Sequence, residues 1–185
     1  WWAGGFCDMK QKSWQDGQIH AFEAFGGVPR MWVPDNAATT TDRTAAPRVT
    51  LVNREYERFA DHYGAAVVPA RVRRPRDKSV AESCVDLVER WIIGPSGEMT
   101  FYTIDEFNEY CAEKVAWLNR RPFAAKDGSR ESVFDEEERA HLMPLPAERY
   151  EMCEWRSAKV SPDYHVPVDY MHYSVGHSLI GEQVD

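Results

Sequence analysis

The chain of 185 residues lacks any apolar run long enough to span a bilayer. Its longest, Ala65-Ala66-Val67-Val68-Pro69-Ala70, is far short of the ~20 residues a membrane helix needs. No charged-then-apolar leader marks a secreted protein. Cysteine is sparse, and Cys7, Cys84, Cys111 and Cys153 form no C-x-x-C pair, which excludes zinc ribbons and dithiol redox motifs and leaves free thiols of a reducing cytosol. There is no internal repeat and no low-complexity tract. No P-loop, dinucleotide fingerprint, nucleophile elbow or H-E-x-x-H occurs. What is present is ordinary globular composition, 43% hydrophobic and 28% charged, with one full domain plus an appendage as the expected size. The first residue is Trp1 rather than Met, so the expectation is a processed chain or a piece of a longer one.

The net charge of -8 weighs against nucleic acid, but the average hides an asymmetry. Residues 30–78 hold ten bases and six acids, whereas residues 105–154 hold thirteen acids and seven bases. A basic centre beside an acidic flank still permits a polyanion at the centre.

Local patterns predict alternating elements. Trp1–Cys7 reads as the tail of a buried strand. Ser13 caps a helix whose apolar side is Trp14, Ile19, Ala21, Phe22 and Phe25, stopped by Gly26-Gly27. Met31-Trp32-Val33 is a strand, and residues 37–50 a loop or flap. Asn53 caps a helix bearing Tyr56, Phe59, Ala60 and Tyr63, stopped by Gly64. Ala65–Ala70 is a second strand, residues 71–78 a basic loop, and Ser79 to Ile92 an amphipathic helix ended by Gly94-Pro95. This alternation predicts an α/β layer containing parallel strands. Thr103-Ile104-Asp105-Glu106 has the form of a capping box and opens a helix to Arg121. Residues 124–158 read as a linker with a short helix near Ser132–His141. From Val160 the period becomes two, with a hairpin around Asp169-Tyr170-Met171-His172.

Asp35 directly follows the Met31–Val33 strand, and in open α/β sheets ligands gather at the carboxyl ends of strands. A turn or cap explains the same residue from position alone. Glu82 lies in the first turn of the next-but-one element, where the helix dipole already favours an acid, and Asp77 suits a cap. Together Asp35 and Glu82 can converge on hard divalent cations, Mg²⁺ or Mn²⁺. Two such ions about 3.5–4 Å apart serve phosphoryl transfer. Arg71, Arg73, Arg74, Arg76 and Lys78 lie between the two acids, suited to phosphates without reading bases, or equally to a solvated loop. His165, His172 and His177 cluster in the terminal hairpin without ligand spacing.

Several pieces then form an ordered set: Phe25-Gly26-Gly27-Val28-Pro29, Val33-Pro34-Asp35-Asn36, Phe59-Ala60-Asp61-His62-Tyr63-Gly64 and Pro75-Arg76-Asp77-Lys78 leading to Glu82. Leu118-Asn119-Arg120-Arg121-Pro122-Phe123 and Asp163-Tyr164-His165-Val166-Pro167-Val168-Asp169 continue it. From about Asp8 onward this set resembles the integrase core of IstA-type transposases of the insertion-sequence-21 group. The resemblance implies a ribonuclease-H-like fold, a mixed sheet flanked by helices, followed by the start of a small β-barrel. The corresponding divisions are 1–123 (core with trailing helix), 124–158 (linker) and 159–185 (barrel start). It implies metal-dependent DNA strand cleavage and strand transfer by a D-D-E triad, with Asp35 as the second Asp and Glu82 as the Glu. It implies two Mg²⁺ or Mn²⁺ ions, DNA and an AAA+ ATPase helper as partners, a homo-oligomer on DNA, and a cytoplasmic, nucleoid-associated setting with no membrane. The first strand and first Asp of the family have no counterpart here, and neither Asp8 nor Asp16 replaces that Asp. The expectation is therefore an inactive fragment of such an enzyme. A ribonuclease-H-like nuclease without joining activity, or a non-catalytic DNA-binding or assembly remnant, are the alternatives.

Overall fold

A computed structural model describes residues 1–34, 41–43, 50–68, 79–153 and 157–184; the side chains at 41–43, 50–51 and 79–82 lie outside that description. The chain divides after Tyr150 into two compact units.

In the first unit, helix α1 spans Gln11–Phe25. Its start is held from further upstream than Ser13. The Asp8 carboxylate accepts from the Lys10 N–H (3.0 Å) and from the Ser13 hydroxyl (2.6 Å), and these bonds hold its pKa below the ordinary range. Ser13 is thus a donor inside the first turn, where its hydroxyl has no free N–H to cap. The buried face is Gln15, Ile19 and Phe22, at i, i+4 and i+7, while Trp14 turns outward. The Gln15 amide finds no partner among the described residues, between Gln11, which reaches Asn53, and Gln18, which pairs with the Tyr56 hydroxyl.

Two glycines end α1 for different reasons. Gly26 takes φ +73°, and the Gly26 and Gly27 N–H groups donate back to Glu23 and Phe22, a left-handed cap that a side chain would strain. A Cβ on Gly27 would lie 2.7 Å from Leu142 Cβ and 2.8 Å from the Met143 carbonyl. Backbone from 116 residues later therefore packs directly on Gly27, and Val28 and Met143 exchange two hydrogen bonds of 2.9 Å.

Strand β1 (Met31–Trp32) pairs in parallel with β4 (Ala66–Val67), Trp32 opposite Val67. Between them come β2 (Thr41–Arg43) and β3 (Thr50–Val52), antiparallel to each other, so the expected loop contains a two-stranded ladder. Helix α2 (Arg54–His62) follows, its N-cap Asn53 accepting from the Glu55 and Tyr56 N–H groups, as expected. Gly64 at φ +66° closes it, with Ala65 N–H donating to the Ala60 carbonyl. Trp32 sits among Phe22, Phe59, Tyr56 and Tyr63 at ring separations of 4.9–6.2 Å, and with Ile19, Val28, Ala60 and Ala65 they form the first hydrophobic core.

Helix α3 (Ser79–Val88) continues through a wider π-type turn at Glu89–Ile93 into the short α4 (Gly94–Ser96). Gly94-Pro95 does not stop the helix there. The Gly94 N–H donates to Glu89, five residues back, and the widened turn admits a proline that has no N–H to give. Helix α5 (Ile104–Arg120) has Thr103 as its cap, accepting from the Glu106 N–H; Glu106 reaches past Thr103 to the Tyr102 N–H at 2.7 Å. Its Tyr110, Cys111 and Val115 join Ile92 in a second core, against which Trp1, Ala3, Val88, Phe101 and Phe107 pack. Trp1–Gly5 joins no ladder among the described residues. Its backbone bonds go to side chains instead. Asn108 exchanges two bonds with Gly5 (2.7 and 3.2 Å), and Asn119 exchanges two with Trp1 (3.0 and 2.9 Å).

The segment from 124, read from sequence as linker, belongs to the first unit as far as Tyr150. It carries α6 (Arg130–Val133), extended by tighter and wider turns to His141. Arg149 grips Glu23 through two bonds (2.6 and 2.7 Å), the Tyr150 hydroxyl donates to Glu55, and His62 Nε2 lies 3.0 Å from the Glu148 carbonyl. These contacts are polar and distant in sequence, so no local pattern announces them.

The second unit, Glu151–Asp185, contains β5 (Ala158–Lys159) paired with β8 (Gln183–Val184), and β6 (His165–Val168) paired with β7 (Met171–Ser174), both antiparallel. The hairpin turn is only Asp169-Tyr170, both left-handed (φ +48° and +66°), a geometry that matches strand twist. Met171 and His172, expected in the turn, therefore belong to β7.

Candidate functional site

The parallel pairing of β1 with β4 fixes one feature of the site region. The Val68 N–H donates to the Trp32 carbonyl at 2.8 Å, so Pro34 and Val68 leave neighbouring strands at the same, carboxyl, edge. From Pro34 the chain runs on to Asp35, and from Val68 to the basic run. Asp35 itself, and Arg71, Arg73, Arg74, Arg76 and Lys78, lie outside the described residues. Glu82 is the fourth residue of α3, the next helix after β4; its side chain also lies outside the description. Below that edge the strands are anchored by Trp32, whose indole N–H donates to the Pro29 carbonyl at 3.0 Å.

The other candidate ligands have structural occupations. Asp8 holds the start of α1 and Asp16 lies on its flank. His165 and His172 face each other across β6 and β7 with rings 6.4 Å apart, and Asp163 accepts from the Ser161 hydroxyl, which holds its pKa down. Among the described residues no group of three His, Cys, Asp or Glu is placed to hold a metal ion. The Asp35–Glu82 donor set is all carboxylate oxygen, which fits a hard divalent cation and not zinc or copper. The four cysteines are free; burial pushes the Cys111 thiol up, away from the reactive thiolate.

Charge averaging over residues 105–154 conceals a second positively charged feature. Residues 114–130 hold five bases and one acid. Four of these cations lie over aromatic rings, Lys114 among them at 5.4 Å from the Tyr110 ring. The Arg121 guanidinium is 5.1 Å from the Trp91 ring and 5.5 Å from Trp117, themselves 5.2 Å apart. Arg130 lies between Trp1 (4.1 Å) and Phe123 (5.5 Å), and the Lys126 ammonium is 4.5 Å from Phe123. A backbone bridge between Pro122 and Ser129 brings the two ends of this loop together. A narrower charge window would have found it.

No helix among the described residues is long and apolar enough to cross a membrane. Comparison with known proteins places these features in a family context. The model of the Mu transposase C-terminal domain matches residues 145–185. Over 168 residues the chain is 42% identical to "Putative transposase y4bL/y4kJ/y4tB" of Sinorhizobium fredii (strain NBRC 101917 / NGR234), covering 91% of this chain and 32% of that protein. Over 183 residues it is 38% identical to "Putative transposase for insertion sequence IS408" of Burkholderia multivorans (strain ATCC 17616 / 249), covering 99% of this chain and 33% of that protein. In fold, 89% of the chain matches 51% of a chain in the cryo-EM structure of the simian T-cell lymphotropic virus intasome in complex with PP2A regulatory subunit B56 gamma, with a TM-score of 0.54 at 11% identity. The chain is a homologue of insertion-sequence transposases, spans about a third of the length of those curated relatives, and has an integrase-like fold.

Proposed function

We propose that this chain is part of the catalytic core of an IstA-type transposase of the insertion-sequence-21 group, with a ribonuclease-H-like first unit and a second unit that begins a small β-barrel. Asp35 and Glu82 would supply two of three carboxylates holding Mg²⁺ or Mn²⁺, two ions in the intact enzyme. Bound there, the ions would activate an attacking oxygen and stabilise a leaving one in strand cleavage and strand transfer. Arg71, Arg73, Arg74, Arg76 and Lys78 would neutralise the DNA backbone beside them. The partners are element-end and target DNA, an AAA+ ATPase helper and further copies of the protein, in the bacterial cytoplasm at the nucleoid. The observation that supports this most is the common strand edge, because Pro34, which precedes Asp35 in sequence, and Val68, which precedes the basic run, follow neighbouring parallel strands at the same end.

The test is Mn²⁺ titration of the purified chain followed by electron paramagnetic resonance. Weak binding is expected, lost on Asp35→Asn and equally on Glu82→Gln, with no further loss in the double variant because the two share the ions. Strand transfer by this chain is expected to be absent, since only two carboxylates of the triad are assigned in it. Binding that survives both single substitutions overturns the site, and strand joining that survives Glu82→Gln overturns the assignment of roles.

A further inference from the structure

We propose that the loop joining α5 to α6, with the Arg121, Lys126 and Arg130 side chains at its two ends and tip, is a second DNA-backbone contact, separate from the basic run at 71–78. The inference rests on reading the chain as part of a DNA strand-transfer protein, and adds to it a surface.

Three observations carry it. The first is charge. A stretch with five bases and one acid stands out in a chain of net charge -8, and among the described residues Arg120, Arg121, Lys126 and Arg130 make no ion pair. Like charges gathered with a single carboxylate among them repel each other, and an anion relieves that repulsion. The second is geometry. The Arg121 and Arg130 guanidinium groups lie over rings, and apart from the Arg130 Nη1 bond to the Leu118 carbonyl (3.4 Å) their N–H groups remain, among the described residues, as donors for phosphate oxygens. Stacking also orders these long side chains before binding, so less rotamer entropy is lost on contact. The third is access. Arg121 and Lys126 are exposed, and Trp117 beneath Arg121 is 46% exposed. Aromatic planes alternating with cations on an open surface are the composition used to hold nucleic-acid backbones and unpaired bases.

The test is fluorescence anisotropy of the 185-residue chain on a labelled duplex of random sequence across a salt series, with Arg121→Gln/Lys126→Gln beside a control variant, Arg71→Gln/Arg73→Gln/Arg74→Gln. If both surfaces hold phosphates, the island variant weakens binding by roughly ten- to a hundredfold near 0.1 M salt and lowers the slope of log affinity against log salt by about 1.8. Arg121→Lys restores most of the slope, because the charge returns without the planar fork. Lys126→Gln alone, at an exposed position, gives a slope change of about 0.9 and serves should the double variant fail to fold. An unchanged slope in the island variants with binding lost in the 71–74 control overturns this inference and leaves the transposase reading intact. Absence of DNA binding by the unaltered chain overturns the inference and counts against that reading too. Unchanged DNA binding with a loss of self-association in sedimentation assigns the loop to an acidic protein surface, such as the second unit of another copy, and likewise overturns it.

Discussion

The two hydrophobic cores of the first unit are built on different principles. Around Trp32 almost everything is apolar contact: nine buried residues drawn from α1, β1, α2 and the turns that flank them. Most of its polar groups sit at the rim, where Gln18 meets Tyr56 and Tyr150 meets Glu55, while Gln15 is buried beside Ile19 and Phe22 on α1. Around Ile92 and Cys111 the buried set is four residues, and directional bonds supply much of the definition. Asn108 and Asn119 hold the 1–5 backbone, and Tyr110 holds the π-type turn through the Ile92 carbonyl at 3.2 Å. Nonpolar burial is spread over many atoms and tolerates small shifts, whereas a hydrogen-bond clamp works at one geometry and fails at once. The first core underlies the strand edge leading to Asp35. The second underlies the Trp91–Trp117 face that carries Arg121. The strand edge and the Arg121 face therefore rest on parts of the unit that should open independently and at different cost.

The largest effect should come from removing the centre of the first core. Trp32→Ala deletes a ring packed on four others and is expected to cost about 3–5 kcal/mol, read as a fall in the urea midpoint of the chain. Loss of that size at Trp32 with the Arg121 face still protected in hydrogen exchange would sharpen the contrast between the cores. The next effect is smaller and local. Asn108→Ala removes both bonds to Gly5, in a partly buried place that water can partly refill, and should cost about 1–2 kcal/mol. Amide exchange at Gly5 should accelerate while Trp32 fluorescence stays put. If the Trp32 core loosens as well, the two cores form one cooperative body and the comparison fails.

The sequence disclosed element ends better than element partners. Asn53, Thr103, Gly26 and Gly64 act where their chemistry predicts, because caps and left-handed turns are settled within a few residues. The contact that Gly27 makes is another matter. It faces Leu142 and Met143, and nothing within the helix-stop pattern distinguishes a glycine needed for its φ from one needed for its missing Cβ. The same holds for Trp1–Gly5, whose apolar residues suggest a strand although two asparagine side chains on α5 take the place of a neighbouring strand. As to the site, Asp35 and Glu82 stand out only through an ordered set of motifs, since position alone favours a turn or cap for the first and a helix-dipole partner for the second. The basic stretch at 114–130 is hidden because its bases are outnumbered within the wider acidic window, and because Trp91 meets Arg121 only once the π-type turn after α3 is folded against α5.

The finest test of the contrast is Tyr110→Phe. The substitution keeps the ring, its packing against Phe101 at 5.5 Å and nearly all its volume, and removes only the hydroxyl that donates to the Ile92 carbonyl. Ile92 is 1% exposed, so that carbonyl has little access to water in exchange. A penalty of about 1 kcal/mol is expected, below that of Asn108→Ala because one bond is lost instead of two and the turn can tighten toward a neighbouring N–H. The readout is differential: faster exchange of amides along Glu89–Ile93, with Gly5 and the first core unchanged. Were Tyr110→Phe neutral in both stability and exchange, the second core would be holding its turn by packing alone, as the first does, and the division into a contact-built and a bond-built core would not stand.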